Sequence, residues 1–297
     1  MTRSSGKPMK VLWSELLPYE FKERLSACPV VYLPLGICEP HGQISAFGLD
    51  TLKAEWLCVE AAKRVGGIVA PSLGYHIHES GYHARWLEEV VGEEQAHMTG
   101  MPPHVLLHFF LYQLRAFVGA GFQSIVILTG HGGGNELDLR RVSDAFSRET
   151  GVAIIVSTDA QLVRDQYQGD HAGRYEISQL MFLRPELIDF SQLWRQTEVG
   201  AGGRLALGED ATEASGEQGA RIMEACLAQL CEVVTKQSAS VQHKENLIKP
   251  RLLSYEETEN IWQQAKFMGP WNTSLPHADQ KTVSETSQWK FFEYHKL

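Results

Sequence analysis

Short apolar runs recur along the chain at 29–36 (PVVYLPLG), 67–74 (GIVAPSLG), 124–130 (SIVILTG) and 152–157 (VAIIVS), each bounded by turn-forming residues. Runs this short and this continuously apolar suit strands buried on both faces of a parallel sheet. Between them, residues 50–64, 104–120 and 136–149 carry apolar positions at helical spacing. This alternation is the βαβ rhythm of a largely parallel sheet with helices on its faces, so the predicted class is α/β. Further helices are predicted at 175–183 and 216–236, separated by a glycine-rich stretch, 199–216, that reads as a long surface loop. Beyond Lys236 the composition turns polar and aromatic, with Trp262, Trp271 and Trp289. Ser254 and Glu257 form a capping box that predicts a helix through Ala265, followed by an extended tail packed by its aromatics.

Composition changes this picture little. A chain of 297 residues suffices for one large α/β domain or two small ones. No run of roughly 18 apolar residues could span a bilayer. The first twenty residues lack the apolar stretch of about 7 to 15 residues that marks a signal peptide, which makes the cytoplasm the expected compartment. A net charge of -9 with no basic block argues against nucleic acid as a partner. The five cysteines are odd in number and show no CxxC spacing, so they are read as reduced and structural.

The chemistry lies in the loops. In open parallel sheets, ligands bind outside the carboxyl ends of the strands. The first strand leads into GICEPHGQISAFGLD (36–50) and the third into GHGGGNE (130–136). Glu39 and His41 are two apart, so in extended backbone both face one side. Asp50 opens the next helix, either as an N-cap or as a site residue. Carboxylates with neutral imidazoles form a hard-to-borderline ligand set suited to Zn²⁺, Mn²⁺ or Fe²⁺, and without nearby cysteine a catalytic site is expected rather than a closed structural one. In DHAGRYEIS (170–178), His171 precedes a helix and Glu176 lies in its first turns, where an acidic residue also suits the helix dipole. The triple-glycine loop matches neither phosphate fingerprint: no Lys-Ser/Thr pair follows Gly134, and Asn135 stands where GxGxxG requires its third glycine. Its amides retain the capacity to hold an anion at the helix start.

Taken together, LPLGICEPHG followed by GLDT resembles the LPxGxxExHG…GxDT pattern of the creatininase (creatinine amidohydrolase) family. TGHGGGN resembles that family's NGHGGN or NGHYEN, and HAGRYEIS its HAGxxETS, with the resemblance spanning roughly residues 10 to 236. It implies a three-layer α/β/α sandwich with a mainly parallel sheet over residues 1–236. Residues 237–297 become an extension packed on that domain or on a neighbouring subunit of a homo-oligomer, commonly a hexamer. The resemblance also implies two divalent ions, Zn, Mn or Fe, in one pocket. Carried over by position, Glu39 and His41 each bind one ion, Asp50 bridges both and His131 completes the first site. Gly133 occupies the place of the glutamate in NGHYEN, so Glu176 is expected to complete the second site, with Glu136 as the fallback.

This chain departs from the family pattern at several points. Thr129 replaces an asparagine, the extra glycine pushes Asn135 one place on, and Ile177 replaces a threonine. Segment 74–104 lacks the usual GT before a helix and holds His76, His78, His83, His97 and His104, for which solvated loop positions are the default expectation and a pocket lining the alternative. The implied activity is hydrolysis of a C–N bond in a small cyclic amide or related amide by metal-activated water attacking a carbonyl. His171 is the expected acid–base residue, and Glu176 the other candidate for proton delivery. Family relatives include a formamide hydrolase, a peptidase acting on a modified precursor peptide and a hydrolase opening a keto-inositol ring at a C–C bond. The alternatives carried forward are that last activity and a metal-free small-molecule-binding or scaffold protein.

Overall fold

The computed structural model describes residues 9–78, 81–90, 97–197, 206–242, 249–278 and 280–290. In chain order the main elements are α1 (Pro18–Ala27), β1 (Val30–Leu35), α2 (Leu49–Val65), β2 (Ile68–Val69), β3 (His76–Ile77), α3 (Gly81–Val90), β4 (Gly100–Met101), α4 (Pro103–Ala120), β5 (Ser124–Thr129), α5 (Asn135–Thr150), β6 (Ala153–Thr158), α6 (Asp159–Leu162), α7 (Arg174–Leu183), α8 (Gly216–Gln242) and α9 (Tyr255–Phe267). Four strands form one parallel sheet in the order β2-β1-β5-β6, and β3 pairs with β4 in a separate parallel ribbon.

Alternation along β1 and β5 divides the core into two layers. Val31, Leu33, Leu35, Ile125 and Ile127 point to one face, where α4, α5 and α9 contribute Leu107, Phe110, Val142, Phe146 and Ile261. Val30, Tyr32, Val126 and Leu128 point to the other, against Leu57 and Ala61 of α2 and Ile222, Met223 and Leu227 of α8. Both faces are covered, which is why these strands read as unbroken apolar runs rather than alternating ones. Each fully buried side chain of this size contributes about 1.5–3 kcal/mol.

The predicted strand at 67–74 shortens to Ile68–Val69. Ala70 still donates to the Tyr32 carbonyl, and contact resumes only as an isolated bridge between Leu35 and Leu73, where Leu73 N donates to the Pro34 carbonyl. Helix α1 went unread in the apolar pattern because it buries none of its residues, although Pro18 at its start and the Glu20 side chain accepting from Leu17 N mark its N-terminus. The capping box forms as read: Ser254 Oγ accepts from Glu257 N at 3.1 Å and Glu257 Oε2 from Ser254 N at 2.7 Å. Of the glycine-rich stretch, 199–205 lies outside the described residues, and 206–215 includes a 3-10 turn at Ala211–Glu213. The five cysteines are free, and no helix among the described residues is long and apolar enough to cross a membrane.

Residues 249–275 lie along the α4/α5 face. Trp262 stacks on His108 at 4.7 Å and on Trp271 at 5.6 Å, and both tryptophans join the core. Arg141 of α5 donates to the carbonyls of Ala265, Gly269 and Pro270 at the end of α9 and lies over the Trp271 ring at 4.3 Å, satisfying acceptors that the helix end leaves open. The buried Asp138 carboxylate accepts from Asn272 N, Thr273 N and Thr273 Oγ1 at 2.7–2.9 Å. Further on, Trp289 packs against Leu87 of α3. Asp138→Ala strands two backbone N–H groups and a hydroxyl, and is expected to cost about 2–3 kcal/mol. Urea unfolding checks this, and an unchanged midpoint contradicts it.

Candidate metal centre

The chain leaves β1 toward β2 on one side and returns through β5 on the other, so the sheet's connections reverse direction between two neighbouring strands. A crevice opens at the carboxyl ends of strands that diverge in this way. Glu39 and His41 follow β1 and His131 follows β5, so both loops enter that crevice. The N-terminus of α2 fills the remaining side at very short range. A Cβ on Gly36 would lie 2.4 Å from Thr51 N, and one on Gly130 would lie 2.1 Å from the Asp50 carbonyl oxygen. Both positions therefore require glycine. Gly48, not Asp50, is the N-cap of α2, which frees the Asp50 carboxylate in the first turn to face the crevice.

Three overlapping three-residue groups result here, each with candidate ligand atoms within 4.8 Å of one another: Glu39–Asp50–His131, His41–Asp50–Glu176 and, toward the rim, Glu39–His41–His171. Asp50 belongs to the first two. His131 Nδ1 lies 2.8 Å from Glu39 Oε1 and 3.4 Å from Asp50 Oδ2. His41 Nε2 lies 3.6 Å from Asp50 Oδ1 and 3.5 Å from Glu176 Oε2, while its Nδ1–H donates to the Glu39 carbonyl at 3.0 Å. That hydrogen bond fixes the tautomer and orients the other nitrogen inward, as metal-ligating histidines require. His41 Nε2, His131 Nε2 and both Asp50 oxygens are buried without a hydrogen-bond partner. Orphaned polar atoms are costly in a protein interior, and the three on Asp50 and His41 fit a divalent cation of hard-to-borderline character.

His171 sits at the rim. Its side chain is 38% exposed, its ring stacks on His41 at 5.0 Å, and its Nδ1 is 3.9 Å from Glu39 Oε1. The next residue, Ala172, adopts φ +51 and donates its N–H to Glu176 Oε2 at 2.8 Å, so a left-handed turn couples the rim histidine to the Glu176 carboxylate. Glu136 stands apart from these groups and accepts from Gln161 Nε2 at 2.9 Å.

Lys53 is a site residue that the sequence reading missed. It is buried, with Nζ 2.6 Å from Glu176 Oε1, 3.5 Å from Asp159 Oδ1 and 3.6 Å from Asp50 Oδ1. Its position one helical turn after Asp50 was the available signal. Asp159 is held in turn by Tyr175 Oη and Gln179 Nε2.

The default expectation of solvated loop positions holds only at His97, since His104 is half-buried in the first turn of α4. His76, His78 and His83 are buried, because ribbon β3/β4 and helix α3 lie over the crevice. His76 is fully committed: Ile77 N donates to its Nδ1, so its Nε2–H donates to Thr129 Oγ1. Thr129 in turn donates to the His131 carbonyl and accepts from the His131 N–H, a local turn that accounts for a threonine at this position. The last two glycines of the loop, Gly133 and Gly134, have φ near +80, with Gly134 as the N-cap of α5. A cavity of about 280 Å³ lies over the centre, walled by His78, His83, Trp86 and His171, and a second of about 570 Å³ lies beyond Gly132 and Glu176 toward Arg164. The arrangement can hold cations at its floor, admit a small molecule above them and present one imidazole to it.

The model of the creatininase family, described as creatinine amidohydrolase, matches residues 14–234. Creatinine amidohydrolase from Pseudomonas putida is 24% identical over 264 residues, 76% of this chain and 97% of its own. A 3-dehydro-scyllo-inosose hydrolase from Thermotoga maritima is 26% identical over 132 residues, 42% of this chain but 37% of its own. A crystal structure of creatinine amidohydrolase superposes with a TM-score of 0.65 at 22% identity, over 77% of this chain and 98% of its own. Creatininase structures described as an Mn form and a Zn-Zn form superpose with TM-scores of 0.62 and 0.63, each at 22% identity over 77% of this chain and 99% of its own.

Without metal, the centre is held together by protons. Burial pulls the His131 imidazole down, but Glu39 and Asp50 more than offset this and raise it to about 10. Burial likewise opposes the His41 imidazolium, which Asp50 and Glu176 hold well above the usual range. Burial works against the Glu39 carboxylate, yet His131 keeps it well below the usual range, and Lys53 does the same for Glu176. An imidazole with a raised folded-state pKa binds protons more tightly folded than unfolded. For His131 this stabilisation is complete below the unfolded value of 6.5 and is lost as pH rises toward about 10. The chelator-treated protein is therefore expected to lose folding stability across that window, as measured by denaturant titration at each end. Stability that holds or rises with pH contradicts this reading.

Proposed function

The chain belongs to the creatininase family of amidohydrolases, and from that premise we propose that it is a dinuclear metal-dependent hydrolase cleaving a C–N bond in a cyclic amide or related small amide. The observation that carries the reading is the pair of carboxylate–imidazole groups meeting at Asp50, with orphaned buried atoms on Asp50 and His41. Glu39, Asp50 and His131 would hold one ion, and His41, Asp50 and Glu176 the other. Their oxygen and imidazole donors suit Zn, Mn or Fe. When bound, such ions polarise a carbonyl and bring the pKa of water near neutrality.

The chain's own side chains do the rest. The Glu39 carbonyl fixes the tautomer of His41, and Lys53 with the Ala172 N–H fixes Glu176. With its carboxylate occupied on both oxygens, Glu176 is a poor proton carrier, so the acid–base role falls to His171. Its partly exposed ring reaches the cavity and can pass a proton to the leaving nitrogen. Trp86, His78 and His83 shield the floor from bulk water, and the small cavity limits the substrate to a compact molecule.

A second reading, C–C ring opening of a keto-inositol, is favoured by the partial match to 3-dehydro-scyllo-inosose hydrolase and by a cavity wall rich in groups that can bind hydroxyls. The orphaned polar atoms argue against a metal-free scaffold, which would have no use for them. Residues 1–236 form the hydrolase domain in this reading, and the rest an extension braced against it. A cytoplasmic homo-oligomer, a hexamer by resemblance, completes the proposal.

Asp50→Asn is expected to lose ions from both positions, whereas His171→Ala keeps them and loses about 10²–10⁴ in turnover. Metal analysis beside a rate measurement checks the pair, and equal metal loss in both variants removes the division of labour. Assaying creatinine, formamides, short peptides and keto-inositols with Mn²⁺ and with Zn²⁺ decides between the two readings. Turnover of keto-inositols alone overturns the amide assignment.

A further inference from the structure

We propose an additional metal site in the wall of the cavity, formed by His78, His83 and His131, that selects Co²⁺, Ni²⁺ or Zn²⁺ over Mn²⁺ and Mg²⁺. One nitrogen from each imidazole lies within 4.8 Å of the other two, and all three residues are buried. Ring centroids are 4.3 Å apart for His78 and His83, 5.5 Å for His78 and His131, and 5.7 Å for His83 and His131. His78 follows β3, His83 lies on α3 and His131 ends the β5 loop, so three separate elements converge here.

Glu39 supplies the orienting contact. Its Oε2 is 3.3 Å from His78 Nε2 and its Oε1 2.8 Å from His131 Nδ1. A carboxylate on one nitrogen of an imidazole fixes the ring and makes the other nitrogen a better ligand. On His131 that other nitrogen is Nε2, which is buried with no hydrogen-bond partner. His76 is a useful contrast: it packs against His131 at 5.2 Å, yet both its nitrogens are spent on Ile77 and Thr129, and it joins no candidate ligand group.

Helix α3, which carries His83, is seated firmly. A Cβ on Gly81 would lie 2.4 Å from the Thr273 carbonyl and 2.7 Å from that of Leu275, and Trp289 packs on Leu87. The C-terminal extension thus sets where His83 stands. An all-imidazole donor set differs in kind from the two carboxylate-rich groups below it. Neutral nitrogen ligands favour the borderline ions late in the first transition row and serve Mn²⁺ and Mg²⁺ poorly. The cavity beside the three histidines leaves a fourth position open. His78 and His83 belong to neither of the groups that meet at Asp50, but His131 is shared with the Glu39–Asp50–His131 group, and through that residue the inference rests on the dinuclear reading.

The test uses the chelator-stripped full chain in calorimetric titrations with Co²⁺ and with Mn²⁺. Co²⁺ is expected to fill one equivalent more than Mn²⁺, and His83→Gln to abolish that extra equivalent while leaving the Mn²⁺ stoichiometry and thermal melt unchanged. Asp50→Asn should abolish Mn²⁺ binding yet keep one Co²⁺ equivalent. Equal Co²⁺ and Mn²⁺ stoichiometry in the unaltered protein overturns the site without recourse to any variant, as does an extra equivalent that survives His83→Gln. Failure of Mn²⁺ to bind the unaltered protein counts instead against the dinuclear reading.

Discussion

The centre depends on how closely the N-terminus of α2 approaches the carboxyl ends of β1 and β5. Gly36 and Gly130 each meet α2 backbone at distances no side chain could tolerate. Only at that range does Asp50 reach both the β1 loop, with Glu39 and His41, and the β5 loop, with His131. The same approach places Lys53, one turn later, against Glu176 and Asp159. Two glycines thus govern the assembly of a site to which they contribute no side chain.

Charge explains why so polar a cluster survives burial. Three carboxylates at the floor face Lys53 and the imidazoles, and each carboxylate is paired or within a few ångströms of a cation. Burying ions is expensive, and a paired cluster of this kind seldom adds to stability. Its retention, with orphaned atoms on Asp50, His41 and His131, fits a site shaped for ligands rather than for folding. Lys53 holds Glu176 in place and is itself held by Asp159, and both line the larger cavity.

The region above the floor has a different origin. Ribbon β3/β4 and helix α3 close over the crevice, and the C-terminal segment secures them through Gly81 and Trp289 while Asp138 ties the same segment to the start of α5. Both helices flank the cavity, so the extension reaches the site through the elements it braces. Its aromatic residues pack into the main core alongside α4 and α5 rather than forming a separate one.

The sequence by itself determined the alternation of strands and helices, because runs of apolar residues report burial within a few residues of themselves. Glu39, His41, Asp50, His131 and Glu176 are legible through the motifs that resemble a known family, and the fold brings all five into one crevice. Local pattern could not show that the second strand would pair with β1 over only two residues and resume as a single bridge at Leu73, since this depended on the path of the chain against β1. Nor could it separate His78 and His83 from the more exposed His97 and His104, or identify Lys53 as buried. Those outcomes rest on contacts between elements far apart in the chain. A histidine in an irregular segment carries no periodic signal, and only the closure of that segment over the sheet decided whether it met water or a carboxylate.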